Sequence, residues 1–170
     1  MTDTPIMVAF GANEGDARQT FKSAAEALCG PFREIRCASF YETVPHYDKP
    51  GAVEPTLPAP SYINTVFCAR TALGAHEALS LLLETERRFG RIRPAPECAP
   101  RPIDLDLLLY GTLIENNDAL VLPHPRMHLR NFVLVPANEI APNWRHPLLD
   151  KTIAELCASC ADPLAIRRMK

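Results

Sequence analysis

Two aspartates, Asp104 and Asp106, lie two residues apart in an otherwise hydrophobic run at 103–110. Aliphatic residues fill the alternate positions, which predicts a β-strand whose residues i and i+2 face the same side. Both carboxylates would then project together, and they would repel each other unless a positive group lay beside them. Magnesium suits this place, because it binds one or two carboxylates and completes its shell with substrate phosphates. Taken alone, the D-x-D pattern favours the alternative, which is a pair of solvated acids at a strand edge.

Arginines are concentrated in the segment that leads into this strand. They are Arg87, Arg88, Arg91, Arg93 and Arg101. A guanidinium forms paired hydrogen bonds to phosphate oxygens, so metal-type carboxylates next to arginines indicate a polyphosphate substrate. The dipole of a helix also favours cations at its C-terminal end, and this alternative accounts well for Arg87 and Arg88. It does not account for Arg101, which lies between two prolines, three residues before Asp104.

The composition excludes several classes of function. A chain of 170 residues fits one domain, expected to span 1–170. The net charge of −2 provides no general basic field for nucleic acid. No apolar run reaches the roughly 20 residues that span a bilayer. Neither G-x-x-x-x-G-K-[ST] nor G-x-G-x-x-G occurs, so a P-loop and a dinucleotide fold are not indicated. The first residues lack signal-peptide features and the six cysteines are scattered, so we expect a cytoplasmic protein. Its expected partners are small molecules, without nucleic acid or membrane, and the expected state is a monomer.

Hydrophobic periodicity and turn residues predict the elements that position these groups. In chain order they are a strand at 6–12, a helix at 16–28, strands at 34–43 and 62–72, a helix at 74–89, the D-x-D strand, a hairpin at 113–122, a helix at 125–137 and a short helix from 152. This order indicates an α+β sandwich in which an antiparallel sheet carries helices on one face. Two proline-rich segments, 44–61 and 91–100, are expected to form long irregular loops.

Two further groups of side chains suit a ligand. The segment at 123–132 holds several donors of the kind that contact phosphate, namely His124, Arg126, His128 and Arg130. Elsewhere, Tyr62, Asn64 and Phe132 combine two aromatic rings with an amide, which suits a flat heterocycle. The alternative for both aromatic residues is an ordinary position in the hydrophobic core.

Several short motifs occur in a characteristic order along the chain. They are Gly11–Asn13, Phe40–Thr43, Tyr62–Asn64, Gly90–Arg93, the signature Ala99–Leu108 with its arginine and two aspartates, Pro123–Met127, Phe132–Pro136 and Glu139–Pro142. Together they resemble the 6-hydroxymethyl-7,8-dihydropterin pyrophosphokinase family of folate biosynthesis over residues 6–157. The resemblance implies a ferredoxin-like three-layer α+β sandwich, with a mostly antiparallel sheet, helices packed on it and two long flexible loops. It also implies transfer of pyrophosphate from ATP to the pterin hydroxymethyl group, with release of AMP.

The resemblance also implies a role for individual residues. Asp104 and Asp106 would bind two Mg²⁺ ions, and Arg91 and Arg101 would stabilise the migrating phosphates. The residues expected at the nucleotide site are Glu86, Arg93, His124 and Arg130. The pterin would be held by Thr43, Tyr62, Asn64 and Phe132, with the two aromatic rings stacked on it.

Three positions depart from the family pattern. Cys98 stands where tryptophan is common, Pro125 where some relatives have an aromatic residue, and Leu83 where some have glutamine. We expect these differences to alter ATP affinity or loop closure and to leave the chemistry in place.

Two other functions remain open from the sequence. A two-metal nucleotidyltransferase also uses two acids on a strand, but it attacks the α-phosphorus and releases pyrophosphate. The Gly-Ser element that normally precedes its acids is not visible here. A non-catalytic pterin or nucleotide binder is the second alternative, and it would show no turnover.

Overall fold

The computed structural model describes residues 3–44, 60–93 and 100–170, which contain ten strands, four α-helices and one 3₁₀ helix. The strands are β1 (Thr4–Ala12), β2 (Phe32–Cys37), β3 (Tyr41–Thr43), β4 (Tyr62–Thr71), β5 (Asp104–Tyr110), β6 (Glu115–Asn116), β7 (Val121–Leu122), β8 (Arg145–His146), β9 (Lys151–Thr152) and β10 (Ile166–Arg168). The α-helices are α1 (Ala17–Leu28), α2 (Ala75–Arg88), α3 (Asn131–Ile140) and α4 (Ile153–Ser159), and the 3₁₀ helix is Met127–Leu129.

Six of these strands form one sheet in the order β10-β3-β4-β1-β5, with β2 also paired to β4. All of its strand pairs are antiparallel. With β2 and β3 taken as two parts of one strand, this is the strand order of a ferredoxin-like fold. In it, α1 connects β1 to β2, and α2 connects β4 to β5. The expected fold class is therefore confirmed.

Helices α1 and α2 cover one face of the sheet. The N-terminus of α1 is capped by Asp16, whose carboxylate accepts a hydrogen bond from the Gln19 backbone N–H at 3.0 Å. The buried side chains of these two helices pack with those of the strands in one hydrophobic cluster. At its centre the Phe21 ring meets the edges of Phe10 and Phe40, with ring centroids 5.1 and 5.4 Å apart.

Helices α3 and α4 cover the opposite face, where a second cluster contains Val66 and Leu108 from the sheet and Leu134 from α3. Neighbouring residues such as Met7 and Val8 on β1 belong to different clusters, because side chains alternate between the faces of a strand. The prediction of helices on one face was wrong. The three-layer arrangement implied by the resemblance is what the described residues form.

Some predicted elements differ in their bounds. The strand predicted at 34–43 forms two strands, because the Ser39 backbone N–H donates to the Glu139 carboxylate of α3 at 3.1 Å and leaves the ladder. The helix predicted at 125–137 begins only at Asn131, since Arg130 is extended with φ −127° and ψ 112°. Pro136 lies inside this helix.

The connections also differ in part from the prediction. The hairpin predicted at 113–122 is present, with its two strands at 115–116 and 121–122. The small hairpin of β8 and β9 and the terminal strand β10 were not predicted. The two expected loops fall mostly on 45–59 and 94–99, which lie outside the described residues. Among the helices of the described ranges, none has both the length and the hydrophobicity to cross a membrane.

Candidate active site

The two aspartates of β5 face the layer formed by α3 and α4. Leu105 and Leu107 pack in the cluster beneath α1 and α2. Because side chains alternate along a strand, Asp104 and Asp106 project from the opposite face. The shared orientation predicted from the D-x-D spacing is therefore what the strand provides.

Four strands bring polar groups into one row on this face. Tyr41 is directly opposite Asn64, Asn64 is opposite Gly11, and Gly11 is opposite Asp104. Directly opposite residues of antiparallel strands present their side chains on the same face. The row, called here the polar row, thus runs from a tyrosine and an amide to a carboxylate, with a glycine between them.

Gly11 leaves the middle of the polar row without a side chain. A Cβ atom at this position would lie 3.2 Å from Asn64 Oδ1 and 4.0 Å from the Cβ of Asp104. The first distance is tighter than ordinary van der Waals contact, so even an alanine would displace the amide. Between the amide and the carboxylate the backbone of β1 therefore carries no side chain and is partly exposed, which leaves room for a close approach to it.

Three arginines surround the Asp104 carboxylate. Arg101 Nη1 lies 2.8 Å from Oδ2, while Arg93 Nη2 and Arg91 Nη2 lie 3.4 and 3.6 Å from Oδ1. Within residues 3–44, 60–93 and 100–170, Asp106 forms no ion pair. The arginines and one aspartate are thus brought together, and the second aspartate keeps its oxygens available.

The electrostatic state of Asp104 reflects both its burial and its neighbours. Burial raises the pKa of Asp104 above its ordinary value, and the adjacent charge of Asp106 raises it further. Arg101, Arg91 and Arg93 act in the opposite direction but do not cancel these effects. A cation between the two carboxylates would relieve their repulsion.

Glu86 on α2 links the arginines to the edge strand of the sheet. Its side chain is 1% exposed, and Oε1 accepts the outward backbone N–H of Leu105 at 2.7 Å. Oε2 accepts from Arg93 Nη2 at 2.8 Å. Burial raises the pKa of Glu86, although the bonds from Leu105 and Arg93 favour the ionised form. Both oxygens bind protein groups, so Glu86 fixes the position of Arg93 relative to β5.

Arg101 is fixed from three directions. Its backbone exchanges two hydrogen bonds with Asn13, since Arg101 N–H donates to Asn13 Oδ1 at 2.8 Å and Asn13 N–H donates to Arg101 O at 3.1 Å. Its guanidinium donates to the Tyr62 hydroxyl at 3.1 Å and lies 5.1 Å from the centre of that ring. Burial disfavours the charged form of Arg101, but Asp104 and Tyr62 leave its pKa raised. The cation is held in place before any ligand binds.

The neutral end of the site is formed by β3 and β4. Thr43 is directly opposite Tyr62, and Asn64 Nδ2 donates to Thr43 Oγ1 at 2.9 Å. Thr43 and Asn64 are both buried, so this hydrogen bond fixes the orientation of the amide. Asn64 Oδ1 then lies next to Gly11, in the middle of the polar row.

A third group comes from the segment before α3. The Arg130 guanidinium lies 5.3 Å from the centre of the Phe132 ring, and Phe132 packs against the cluster that α3 and α4 form with the sheet. His124 donates its backbone N–H to Leu108 O on β5 at 2.9 Å. Burial, followed by Arg130 and Arg126, lowers the pKa of His124 to about 4. Its imidazole is therefore a neutral donor at physiological pH.

Known proteins share both the sequence and the fold. The family model described as 7,8-dihydro-6-hydroxymethylpterin-pyrophosphokinase (HPPK) matches residues 7–142. A 2-amino-4-hydroxy-6-hydroxymethyldihydropteridine pyrophosphokinase of Synechocystis is 40% identical over 152 residues, which cover 88% of this chain and 73% of the relative. The enzyme of the same name from Porphyromonas gingivalis is 32% identical over 84% of this chain and 93% of its own length. The chain belongs to the 7,8-dihydro-6-hydroxymethylpterin-pyrophosphokinase family.

Other relatives are larger. A mitochondrial folate synthesis bifunctional protein of Pisum sativum is 36% identical over 81% of this chain, which spans 25% of the relative. A crystal structure of Plasmodium falciparum HPPK-DHPS superimposes with a TM-score of 0.72 at 13% identity, covering 92% of this chain and 44% of that one. This likeness supports the fold. Membership in the HPPK family makes the chain a pyrophosphokinase of folate biosynthesis, with ATP as its co-substrate.

The donor set of this HPPK fits a magnesium site. Asp104 and Asp106 supply hard carboxylate oxygens on one face of β5. Burial and then the charge of Asp106 raise the pKa of Asp104, and a cation would offset the second effect. In the described parts of the chain, no cluster of three or more His, Cys, Asp or Glu side chains forms a closed metal site. Two carboxylates with open positions for phosphate are the arrangement that magnesium commonly takes.

The departures from the HPPK pattern fall in different surroundings. Leu83 on α2 is 41% exposed, and Pro125 is also exposed. Cys98 lies outside the described residues. The ion pairs of the Asp104 carboxylate come from Arg91, Arg93 and Arg101, so neither Leu83 nor Pro125 contributes to them.

Sequence reasoning missed two contributors. Gly11 and Asn13 were noted only as a family landmark. In the structure, Gly11 leaves the middle of the polar row without a side chain, and Asn13 binds the backbone of Arg101. The available signal was the polar residue Asn13, which comes directly after β1 and two residues after Gly11. It could not be connected to Arg101 because 88 residues separate the two positions.

Proposed function

We propose that this chain transfers the pyrophosphoryl group of ATP to the hydroxymethyl group of 6-hydroxymethyl-7,8-dihydropterin and releases AMP. The observation that carries the proposal is the polar row, which joins Asn64 to Asp104 across the bare backbone of Gly11. A pterin ring hydrogen-bonded to the amide would direct its hydroxymethyl group towards the charged end.

In the proposed reaction, the hydroxymethyl oxygen attacks the β-phosphorus of ATP. A new P–O bond forms, and the bond from the β-phosphorus to the oxygen shared with the α-phosphate breaks. AMP leaves with that oxygen, and the proton of the hydroxyl group passes to water. The protein contributes positioning and charge stabilisation, which dominate catalysis of phosphoryl transfer.

Arg101 and Arg91 stabilise the migrating phosphates in this proposal. Both guanidinium groups already lie against Asp104, so they are oriented before the charge of the transition state develops. Such preorganised donors commonly provide the largest electrostatic contribution to catalysis. Asn13 and Tyr62 hold Arg101 in place and so reduce the cost of reorganising it.

Asp104 and Asp106 would hold the two magnesium ions of the reaction. When bound, these ions would neutralise phosphate charge and polarise the attacking alcohol. By holding these ions, the two carboxylates would set the position of the triphosphate relative to the polar row. Asp106, without an ion pair in the described residues, has both oxygens available for this task.

The nucleotide would extend along the side formed by α2 and the segment before α3. Arg93, His124 and Arg130 contact ATP in this proposal, with the neutral His124 imidazole donating from Nε2. That tautomer follows from the Arg126 backbone N–H, which donates to His124 Nδ1 at 3.2 Å. Glu86 belongs to the nucleotide site through the position it gives to Arg93.

The pterin would lie between two rings. Tyr62 and Phe132 stack on its faces, as flat heterocycles require, while Asn64 and the backbone near Thr43 bind its polar edge. The hydrogen bond between Asn64 and Thr43 supports this assignment, because it presents Asn64 Oδ1 as an oriented acceptor.

Product analysis tests the proposal. The protein is incubated with ATP, Mg²⁺ and the reduced hydroxymethylpterin, and the products are separated by chromatography. AMP and the pterin pyrophosphate are expected in equal amounts. Release of pyrophosphate would indicate nucleotidyl transfer instead, and no turnover with saturable binding would indicate a non-catalytic binder.

We also propose that residues 1–170 form a single domain that acts as a monomer. One sheet with a hydrophobic cluster on each face accounts for the described elements, which supports one cooperative unit. Sedimentation of the protein with and without substrates tests the monomer.

A further inference from the structure

Helix α3 begins beside the proposed pterin site, and its own sequence provides no cap. The N-cap residue is Arg130, whose side chain makes no capping hydrogen bond. The first N–H groups of a helix need an acceptor, and a carboxylate is favoured there by the helix dipole. Asp162 provides it, because its Oδ2 accepts the Asn131 backbone N–H at 2.8 Å. The Asn131 side chain also donates to Asp162 O at 2.5 Å.

Asp162 begins a segment that continues to the opposite side of the site. Its Oδ1 accepts the Leu164 backbone N–H at 2.9 Å, which turns the chain towards β10. Strand β10 then pairs with β3, with Ile166 opposite Thr43. The Met169 backbone N–H donates to Phe40 O at 2.8 Å and completes the attachment.

The C-terminal segment, defined here as residues 161–170, therefore joins two elements that carry proposed pterin contacts. Phe132 lies in the first turn of α3, directly after the residue that Asp162 binds. Thr43 lies at the end of β3, directly opposite Ile166. The family model matches residues 7–142, so this connection comes from outside the part of the chain that defines the family.

We propose that the C-terminal segment is a positioning element for pterin binding, and that Asp162 is its principal positioning residue. By capping α3 from a distance, Asp162 sets the start of the helix and hence the positions of Arg130 and Phe132. By pairing with β3, the same segment holds Thr43 and, through it, the Asn64 amide. This inference rests on the proposed function, because it concerns the substrate assigned to the site.

Steady-state kinetics of Asp162→Ala test the inference. The KM for the pterin should rise about tenfold, while kcat at saturation should stay within about threefold, since a loosened α3 weakens binding more than it alters the reacting groups. Asp162→Asn keeps an acceptor for the Asn131 N–H, so it should recover most of the pterin affinity. Calorimetric titration of the pterin in the presence of a non-hydrolysable ATP analogue should show the same order of affinities without turnover.

Asp16→Ala is the matched control. Asp16 caps α1 in the same way, but α1 packs on the other face of the sheet. A comparable loss of thermal stability with unchanged pterin KM is expected for it.

Equal pterin KM values for Asp162→Ala and wild type would overturn the inference, as would equal rises in both cap variants. If Asp162→Ala fails to fold, Asn131→Ala takes its place, because it removes the side-chain hydrogen bond to Asp162 O and keeps the backbone N–H. An unchanged pterin KM together with an unchanged calorimetric affinity in that variant would contradict the proposal. A wild-type protein that releases no AMP would instead refute the proposed function, which separates the two failures.

Discussion

The two faces of the central sheet use the same strands for opposite purposes. The face under α1 and α2 is filled with large apolar side chains, including Phe10, Phe67 and Leu105. The face under α3 and α4 is apolar only in part, and at the ends of the strands it carries Asn64, Gly11 and Asp104 instead. Single strands thus contribute one residue to the core and the next to the site.

This difference shows how the site gains its rigidity. Asp104 and Leu105 are neighbours on β5, and Phe10 and Gly11 are neighbours on β1. Because buried large side chains fix the strands from one side, the polar groups at the strand ends on the other side have fixed backbone positions. Substitutions on the two faces should therefore separate stability from activity.

The largest effect is expected for Asp106→Ala. Turnover should fall by about three decades or more, because the variant removes a carboxylate that would hold magnesium against the transferring phosphates. Steady-state kinetics should show the loss of kcat, whereas urea unfolding should show a nearly unchanged free energy of unfolding. Asp118→Ala, at an exposed turn, is the matched control and should behave like wild type. An Asp106→Ala enzyme within a few-fold of wild-type turnover would refute the role assigned to this carboxylate.

The reverse pattern is expected for Phe21→Ala on the opposite face. Loss of a buried ring from the T-shaped contacts with Phe10 and Phe40 should lower the free energy of unfolding by about 3–5 kcal/mol. At low temperature, where the variant remains folded, its KM values and kcat should stay close to wild type. A selective rise of either KM in the folded variant would show that the two faces are not separable.

The core face was readable from the sequence, and the site face only in part. Alternation predicted β5 and the shared orientation of its aspartates, since this depends on local periodicity alone. The two halves of the strand predicted at 34–43 were not separable, because the interruption comes from Glu139 on a distant helix. Asp104, Asp106 and Arg101 were indicated by residue type and spacing, and the resemblance supplied the specific roles of the site residues, which stay predictions.

Long-range contacts limited the rest. Asn13 and Arg101 are paired through the backbone, and Asp162 caps α3 across 31 positions. No periodic pattern encodes such contacts, because they depend on where loops end after the sheet has formed. A helix that lacks its own cap residue, as at Arg130, is the one local sign that a distant partner is needed.

Gly11→Ala tests the uncovered backbone of the polar row with a smaller change. The added methyl would lie 3.2 Å from Asn64 Oδ1, so the amide must shift, and pterin affinity should fall about 10- to 100-fold. Gly74→Ala is the control, since its Cβ would lie 3.4 Å from the Glu77 carboxylate, outside the site. Calorimetric titration with the pterin measures both. Wild-type pterin affinity in Gly11→Ala would mean that the ring does not approach β1.

The smallest expected effect is the acid sensitivity of the site face. Burial and the nearby arginines lower the pKa of His124 from 6.5 to about 4. Between these values the unfolded chain binds more protons at this residue than the folded protein does, so stability should decrease as the pH falls through that range. The slope contributed by one such group is at most about 1.4 kcal/mol per pH unit. Urea unfolding at a series of pH values should show a shallower slope for His124→Gln than for wild type. Equal slopes would mean that His124 is not held neutral by its surroundings. The part of the site around His124 would then be more exposed to solvent than the hydrophobic core on the opposite face.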